Sequence, residues 1–292
     1  MSPSILHRVS FRDRALRSLD KLPPFSPVLN HLIASLADDD VSFARLADVI
    51  ERDTVLSGNI LRLVNSALYG RRGMISSVRA AVLMLGISKL RNYLLGLSVS
   101  RMWATVATPP GWSTARFNDH SVSAAILSDL LVQKTKADFP EGAFVAGLLH
   151  DLGRMMIAIA LPAEFERIQN DHAETGKPLE VIEHELLDVT HSELSAAALT
   201  RWNLPLKIQK AVLYHHRSAI DPTVGAHGPM ALSLMVETAN ALANGSRHGI
   251  TDTDEKLCEP ANEAMQRLGL VDAEAGLMVQ FEAELQAVRS QL

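Results

Sequence analysis

From Glu141 to Ala160 the chain is apolar almost all the way round a helix, with His150-Asp151 as its conspicuous polar insertion. A helix that is hydrophobic on every side must be buried by its neighbours, so this segment calls for a fold in which other helices wrap a central one. A buried carboxylate is costly unless it is paired or coordinated. Asp151, eleven residues into that run, therefore needs a partner. Two arrangements would supply one: a metal ion shared with neutral imidazoles, or hydrogen bonds from His120 and nearby backbone without any ion.

The remaining sequence supplies the wrapping helices. Ser42 is placed to cap a helix burying Phe43, Leu46, Ala47 and Ile50, at the spacing of one helical face. Asp53 caps a second through Leu56, Ile60, Leu63 and Val64, which Tyr69-Gly70 stops, and Ser77 opens a third that ends at Gly86. Ser88 opens a fourth, reaching about Trp103, and Ser113 caps a long helix through His120 to Leu131. Small residues (Ser121, Ala124, Ala125, Ser128) line one face of that long helix, so a neighbour can approach closely. Pro205 sits well at the first position of Leu206 to His216. Further helical patterns fill the chain to Val288, and no strand or hairpin signal competes. The expected class is all-α. Pro109-Pro110-Gly111 divides it into an N-terminal helical lobe, 1–110, and a second lobe with a C-terminal helical extension, 111–292.

Composition narrows the setting. With 47% apolar and 21% charged residues the chain is globular. A net charge of −5 gives no global reason to expect nucleic acid or an anionic membrane as partner. The single cysteine, Cys258, fits a reducing compartment. The arginine-studded N-terminus lacks the apolar core of a secretory signal, and no apolar run approaches the ~18 residues of a membrane span. A cytoplasmic protein is expected.

Five histidines recur where a helical metal site would need them: His120, His150, His191, and the pair His215-His216. Histidine with carboxylate is the usual donor set for zinc, iron or manganese. His120, His150, Asp151 and His191 form the candidate set. His215 falls on the apolar stripe of Ile208, Ala211 and Val212, and His216 is one step round. Each reads equally as a ligand or as a helix C-terminal histidine favoured by the dipole.

The stretch from about Leu22 to His216 resembles the HDOD family, the HD-related output domains of bacterial signalling proteins. The resemblance rests on Leu22-Pro23-Pro24, Asp53, Leu61 to Gly70, Ile75 with Ser77, Leu85-Gly86 and Leu90-Arg91-Asn92. It continues through Gly147-Leu148-Leu149-His150-Asp151-Leu152-Gly153, His191, Trp202-Asn203-Leu204-Pro205 and His215-His216. It implies two helical lobes, the second similar to an HD phosphohydrolase, and a regulatory role beside receiver, GGDEF or EAL proteins. It also implies a divalent transition-metal site (iron, manganese or zinc) at His120, His150, Asp151, His191, His215 and His216.

Departures from the catalytic relatives bear on activity. Where those enzymes have a late aspartate this chain has Asn240, and Arg116 stands where HD-GYP enzymes carry a glutamate. Arg154 replaces a lysine, keeping the charge without its compact geometry, and is the one candidate for a catalytic role. The Gly-Tyr-Pro signature is absent after His216. A single weak metal site is expected and a two-metal cyclic-di-GMP phosphodiesterase is not; the alternative is a metal-dependent phosphohydrolase acting on some other nucleotide or phosphodiester. In the first lobe, Arg62, Arg71, Arg72, Arg79, Lys89 and Arg91 lie within thirty residues. They read either as a solvated face or as a basic surface for an acidic partner or a nucleotide, with Arg71, Arg72, Arg79 and Arg91 as its expected core. Asn65 is expected to hydrogen-bond across the helix hairpin, and Asp38-Asp39-Asp40 to complement a helix dipole.

Overall fold

A computed structural model describes residues 10–34, 47, 48, 50, 51, 53–66, 69, 74–223 and 228–289. The expectations for Ser42, Phe43, Leu46, Gly70, Arg71, Arg72 and the run Asp38-Asp39-Asp40 lie outside them. Among the described residues the structure is helical, with one isolated bridge, Ala137 to Met230, and no named strand. In chain order the helices are α1 (Phe11–Arg17), α2 (Pro27–Ala34), α3 (Thr54–Val64), α4 (Val78–Leu85), α5 (Ile87–Ala104) and α6 (Thr114–Val132). They continue with α7 (Ala143–Leu149), α8 (Leu152–Ala160), α9 (Pro162–Thr175), α10 (Leu179–Leu187), α11 (His191–Arg201) and α12 (Leu206–Leu213). The last four are α13 (Leu232–Gly245), α14 (Asp252–Leu257), α15 (Ala261–Arg267) and α16 (Glu274–Arg289).

Local chemistry sets the boundaries. The Asp53 side chain accepts from the Val55 and Leu56 amides, Ser77 from Ala80 and Ser113 from Arg116, each satisfying an otherwise orphaned donor of a first turn. Asn65 ties the α3–α4 connection: its Nδ2 donates to the carbonyls of Leu61 (2.7 Å) and Ile75 (2.8 Å), and its Oδ1 accepts from the Ile75 amide (2.9 Å). Gly86, at φ +79°, makes the corner between α4 and α5, so the second of these starts at Ile87, one residue before the Ser88 opening expected from sequence.

The central helix is where the structure departs most from the sequence pattern. The apolar run is two helices, α7 and α8, separated by a turn at His150-Asp151. Asp151 stands at the N-cap of α8 (φ −97°, ψ 11°), yet its side chain does not cap the helix. The apolar run hid the break because both halves are buried, so polarity gave no signal. The stretch 140–160 taken together is also long and apolar enough to cross a membrane, contrary to expectation; its most apolar window is 89% buried inside the protein, as in a core helix.

Around it, α6 packs on α7, α13 and α16, α11 packs on α8 and α12, and α5 joins α6 and α7 to α2. The small-residue face of α6 permits this: a Cβ added at Gly147 would come within 2.6 Å of the Ala124 carbonyl oxygen. Of the described basic residues expected on one surface, Arg62 and Arg79 are exposed and Lys89 is half-buried. Arg91 is 5% exposed, which corrects its assignment to a contact face. Arg79 pairs with Asp48 at 3.0 Å and Lys89 with Glu284 at 2.7 Å, while Arg62 hydrogen-bonds Asn59. Spacing alone could not show that Lys89 had its partner on α16, 195 residues away.

Candidate metal centre

Six side chains converge behind the α7–α8 turn. His120 comes from the middle of α6, His150 and Asp151 from the turn, His191 from the first residue of α11, and His215 and His216 from just past α12. His120, His150, His191 and His215 are at most 1% exposed and Asp151 is 3% exposed, while His216 is half-buried. Their approach depends on Gly153, where a Cβ would lie 2.0 Å from the His191 carbonyl oxygen; α8 could not otherwise meet the start of α11. Ser195 Oγ accepts from the Gly153 amide at 2.7 Å and fixes that contact.

The imidazoles are oriented from behind. His120 Nδ1 lies 2.7 Å from the His248 carbonyl, His150 Nδ1 2.7 Å from that of Gly147, and His215 Nδ1 2.6 Å from that of Val212. Carbonyls only accept, so each Nδ1 carries the proton and each Nε2 presents a lone pair. His191 Nδ1 instead meets Glu183 Oε2 at 2.7 Å, and the same oxygen accepts from the His191 amide at 2.7 Å. Glu183 is itself 2% exposed. Partners of this kind fix the tautomer of metal-ligating histidines and raise their basicity.

The distances in front fit a shared ion. Nitrogen and oxygen ligands of a tetrahedral metal, with bonds of about 2.1 Å, lie about 3.4 Å from one another. His120 Nε2 is 3.3 Å from His150 Nε2 and 3.5 Å from Asp151 Oδ2, and His150 Nε2 is 3.6 Å from Asp151 Oδ1. On the other side, His191 Nε2 and His215 Nε2 lie 3.4 and 3.5 Å from Asp151 Oδ1, and His191 Nε2 lies 2.9 Å from His216 Nε2. Two ligand groups result, one of His120, His150 and Asp151, the other of Asp151, His191, His215 and His216, and they share the aspartate. Sequence reasoning expected one site. His215 Nε2 and Asp151 Oδ1 are buried with no hydrogen-bond partner, the condition a cation between them would relieve.

Electrostatics agree with that reading. Burial pushes the His150 imidazole down to about 3, with His215 and His120 adding to the effect against Asp151. Burial also lowers His120, and lowers His216 well below its ordinary value with help from His215 and His191. Burial opposes the Asp151 charge, but His150, His215, Arg154 and His191 hold the carboxyl well below the usual range. His191 differs: burial disfavours its charge, yet the Glu183 carboxylate and then Asp151 push it up to about 9. In the absence of metal it can donate Nε2–H to His216. His120 and His150 have no such resolution, and their lone pairs face each other.

Arg154 does not reach the ligand atoms as a free cation. Its Nη2 donates to both oxygens of Asp254, at 2.9 and 3.2 Å, and its Nη1 lies 3.3 Å from Asp151 Oδ2. Both Arg154 and Asp254 are buried. Arg116 turns away to the Gly249 carbonyl, Glu255 and Asp252. Asn240 lines the neighbouring cleft, where its Oδ1 accepts from Asn244 at 3.1 Å. That cleft, of about 310 Å³, is also lined by Asp151, Arg154, His191, His216 and Asp254.

Sequence reasoning missed Glu183, Asp254 and the His248 carbonyl. Glu183 left a signal: it lies on the buried stripe of α10 with Leu179, Ile182 and Leu187. Asp254 left only its capping box with Thr251, which says nothing of an arginine 100 residues away.

An HDOD domain model matches residues 22–218 of the chain. An uncharacterized protein of Treponema pallidum (strain Nichols) is 26% identical over 200 residues, which make up 68% of this chain and 38% of that relative. Among solved structures, an HDOD domain protein of unknown function from Geobacter sulfurreducens matches with a TM-score of 0.74 and 26% identity, covering 94% of this chain and 98% of that one. A Marinobacter aquaeolei VT8 protein, provisionally called a signal transduction protein, matches at 0.71 and 20% identity over 96% and 65% of the two chains. A Shewanella amazonensis SB2B protein, provisionally called a phosphohydrolase, matches at 0.69 and 23% identity over 96% and 98%. The last two likenesses are of fold.

Proposed function

The chain belongs to the HDOD family, and from that premise we propose that it is a metal-holding regulatory module of bacterial signal transduction. The observation that carries the reading is the buried set of Nε2 atoms spaced about Asp151 as the ligands of an ion are spaced, beside an arginine whose charge is already taken. His120, His150 and Asp151 would hold one ion, and Asp151, His191, His215 and His216 a second, of iron, manganese or zinc. Bound ions supply Lewis acidity and hydroxide near neutral pH. The chain's own groups do the rest: Glu183 orients His191, and the carbonyls of His248, Gly147 and Val212 orient His120, His150 and His215.

Asn240 and the Arg154–Asp254 pair favour regulation over turnover. A neutral amide offsets no cationic charge, and an arginine between two carboxylates has little left for a substrate phosphate. The fold's likeness to a protein provisionally called a signal transduction protein supports the same reading. Signal would then pass to a separate protein of receiver, GGDEF or EAL type. The second reading, a metal-dependent phosphohydrolase, is favoured by the cleft that opens on Asp151, His191 and His216 and by the fold's likeness to a protein provisionally called a phosphohydrolase. Metal-loaded protein assayed on cyclic-di-GMP and on generic phosphodiesters separates the two. Regulation expects no turnover, whereas turnover lost on His150→Ala would establish the enzyme.

A further inference from the structure

We propose that Asp254 fills, from within the chain, an oxyanion site on Arg154, and so decides that the cleft beside the metal centre rejects phosphoryl ligands. The inference rests on the reading of that cleft as a ligand site. The Arg154 guanidinium touches Asp151 with one terminal nitrogen and holds both oxygens of Asp254 with the other. A phosphate taking the place of Asp254 would thus sit across a single guanidinium from the carboxylate shared by both ligand groups. That is where an arginine would hold a phosphoryl group for metal-assisted chemistry. The place is taken by a carboxylate instead.

Asp254 is well fixed there. Its Oδ2 accepts from the amide and hydroxyl of Thr251, both at 2.8 Å, and burial of its charge is outweighed by Arg154 and Thr251. The segment that carries it is pinned by Arg116, which grips the Gly249 carbonyl and Glu255. The same segment supplies the His248 carbonyl that orients His120. It lies beyond the residues matched by the family model, which end at 218. An extension outside the family domain therefore both orients one ligand and closes the anion position next to it. Glu180, Glu237 and Glu259 line the same cleft and add to its aversion to anions.

The test uses inorganic phosphate as probe on the full chain after chelator treatment, so that binding cannot be read through a metal. Isothermal calorimetry and thermal unfolding are compared for wild type, Asp254→Ala, Asp254→Asn and Asp254→Ala/Arg154→Met. Wild type is expected not to respond. Asp254→Ala should bind phosphate at least tenfold more tightly than wild type and be stabilised by it, and the double variant should lose both responses. Should Asp254→Ala fail to fold, Asp254→Asn, which keeps the shape and an acceptor for Thr251, carries the comparison. Equal phosphate binding by wild type and variants, no binding by a folded Asp254 variant, or binding that survives loss of Arg154 would each overturn the proposal. Metal content and uptake measured on the same preparations before chelator treatment keep the outcomes separate: a wild type that neither holds nor takes up metal counts against the metal centre, and the phosphate result still decides the role of Asp254.

Discussion

Helix α6 carries two polar clusters, one half-buried and one fully buried, and they are built on opposite principles. At Asp129, donors and acceptors alternate: Asn92 Nδ2 and Gln133 Nε2 donate to its two oxygens at 2.9 and 3.0 Å, and Lys89 meets Glu284 nearby at 2.7 Å. At His120, acceptor faces acceptor, with Nε2 atoms and a carboxylate all pointing to common centres and their hydrogen-bonding partners behind them. In the first cluster both Asp129 oxygens have protein donors, although the buried Asn92 Oδ1 has none. In the second, His215 Nε2 and Asp151 Oδ1 are buried without a hydrogen-bond partner, which fits a cation between them. Buried polar groups without partners mark strain, catalysis or an ion, and the regular spacing around Asp151 is consistent with an ion.

The sharpest way to break this contrast is to remove a charge from each cluster. Arg154→Met leaves Asp151 and Asp254 buried without their counter-charge and should cost about 3–5 kcal/mol in urea unfolding. A cost below ~1 kcal/mol would mean that the carboxylates do not need it. Glu183→Gln weakens the group that orients His191, so zinc or manganese affinity should fall about 10–100-fold. Glu284→Gln, in the other cluster, should leave that affinity unchanged. Equal effects of the two would erase the distinction between the clusters.

Smaller changes sharpen it. The Lys89 side chain is 40% exposed, so Lys89→Met should cost ~1 kcal/mol or less and leave metal binding intact. For Asp129 the sign of the pH effect is informative. Burial, with Glu284 adding to it, raises the carboxyl above its ordinary value against the pull of Gln133, Lys89 and Asn92. The folded state therefore binds the proton more tightly than the unfolded chain. Asp129 ionisation costs stability progressively as pH rises from the ordinary carboxylate range through the raised folded value. The stability of Asp129→Asn relative to wild type should accordingly improve over that rise, as measured by denaturant titration at a series of pH values. A difference that is flat with pH would show that the cluster fully compensates the charge.

These clusters also show what the sequence made legible. Capping serines and aspartates act over three residues, so Asp53, Ser77 and Ser113 were readable, as was the span of Asn65 across the α3–α4 connection. The candidate ligands were readable as types in an order, and the structure brings all six together. The turn at His150-Asp151 was not readable, because a break inside a buried apolar stretch leaves no change in polarity. Partners distant in sequence were equally hidden: Arg154 with Asp254, Lys89 with Glu284, and the buried placement of Arg91. Arg91 reads like its exposed neighbours in the sequence and is separated from them only when the opposing helices are in place.

The central claim, that the Asp151 cluster is a metal centre, is tested most directly by elemental analysis and metal titration of wild type beside Asp151→Asn, with circular dichroism confirming that both are folded. Wild type should carry or take up iron, manganese or zinc stoichiometrically. At metal concentrations about 100 times the dissociation constant it should gain ~2.7 kcal/mol of stability, and the folded variant should do neither. A wild-type protein that neither contains nor acquires any of the three metals would contradict the account.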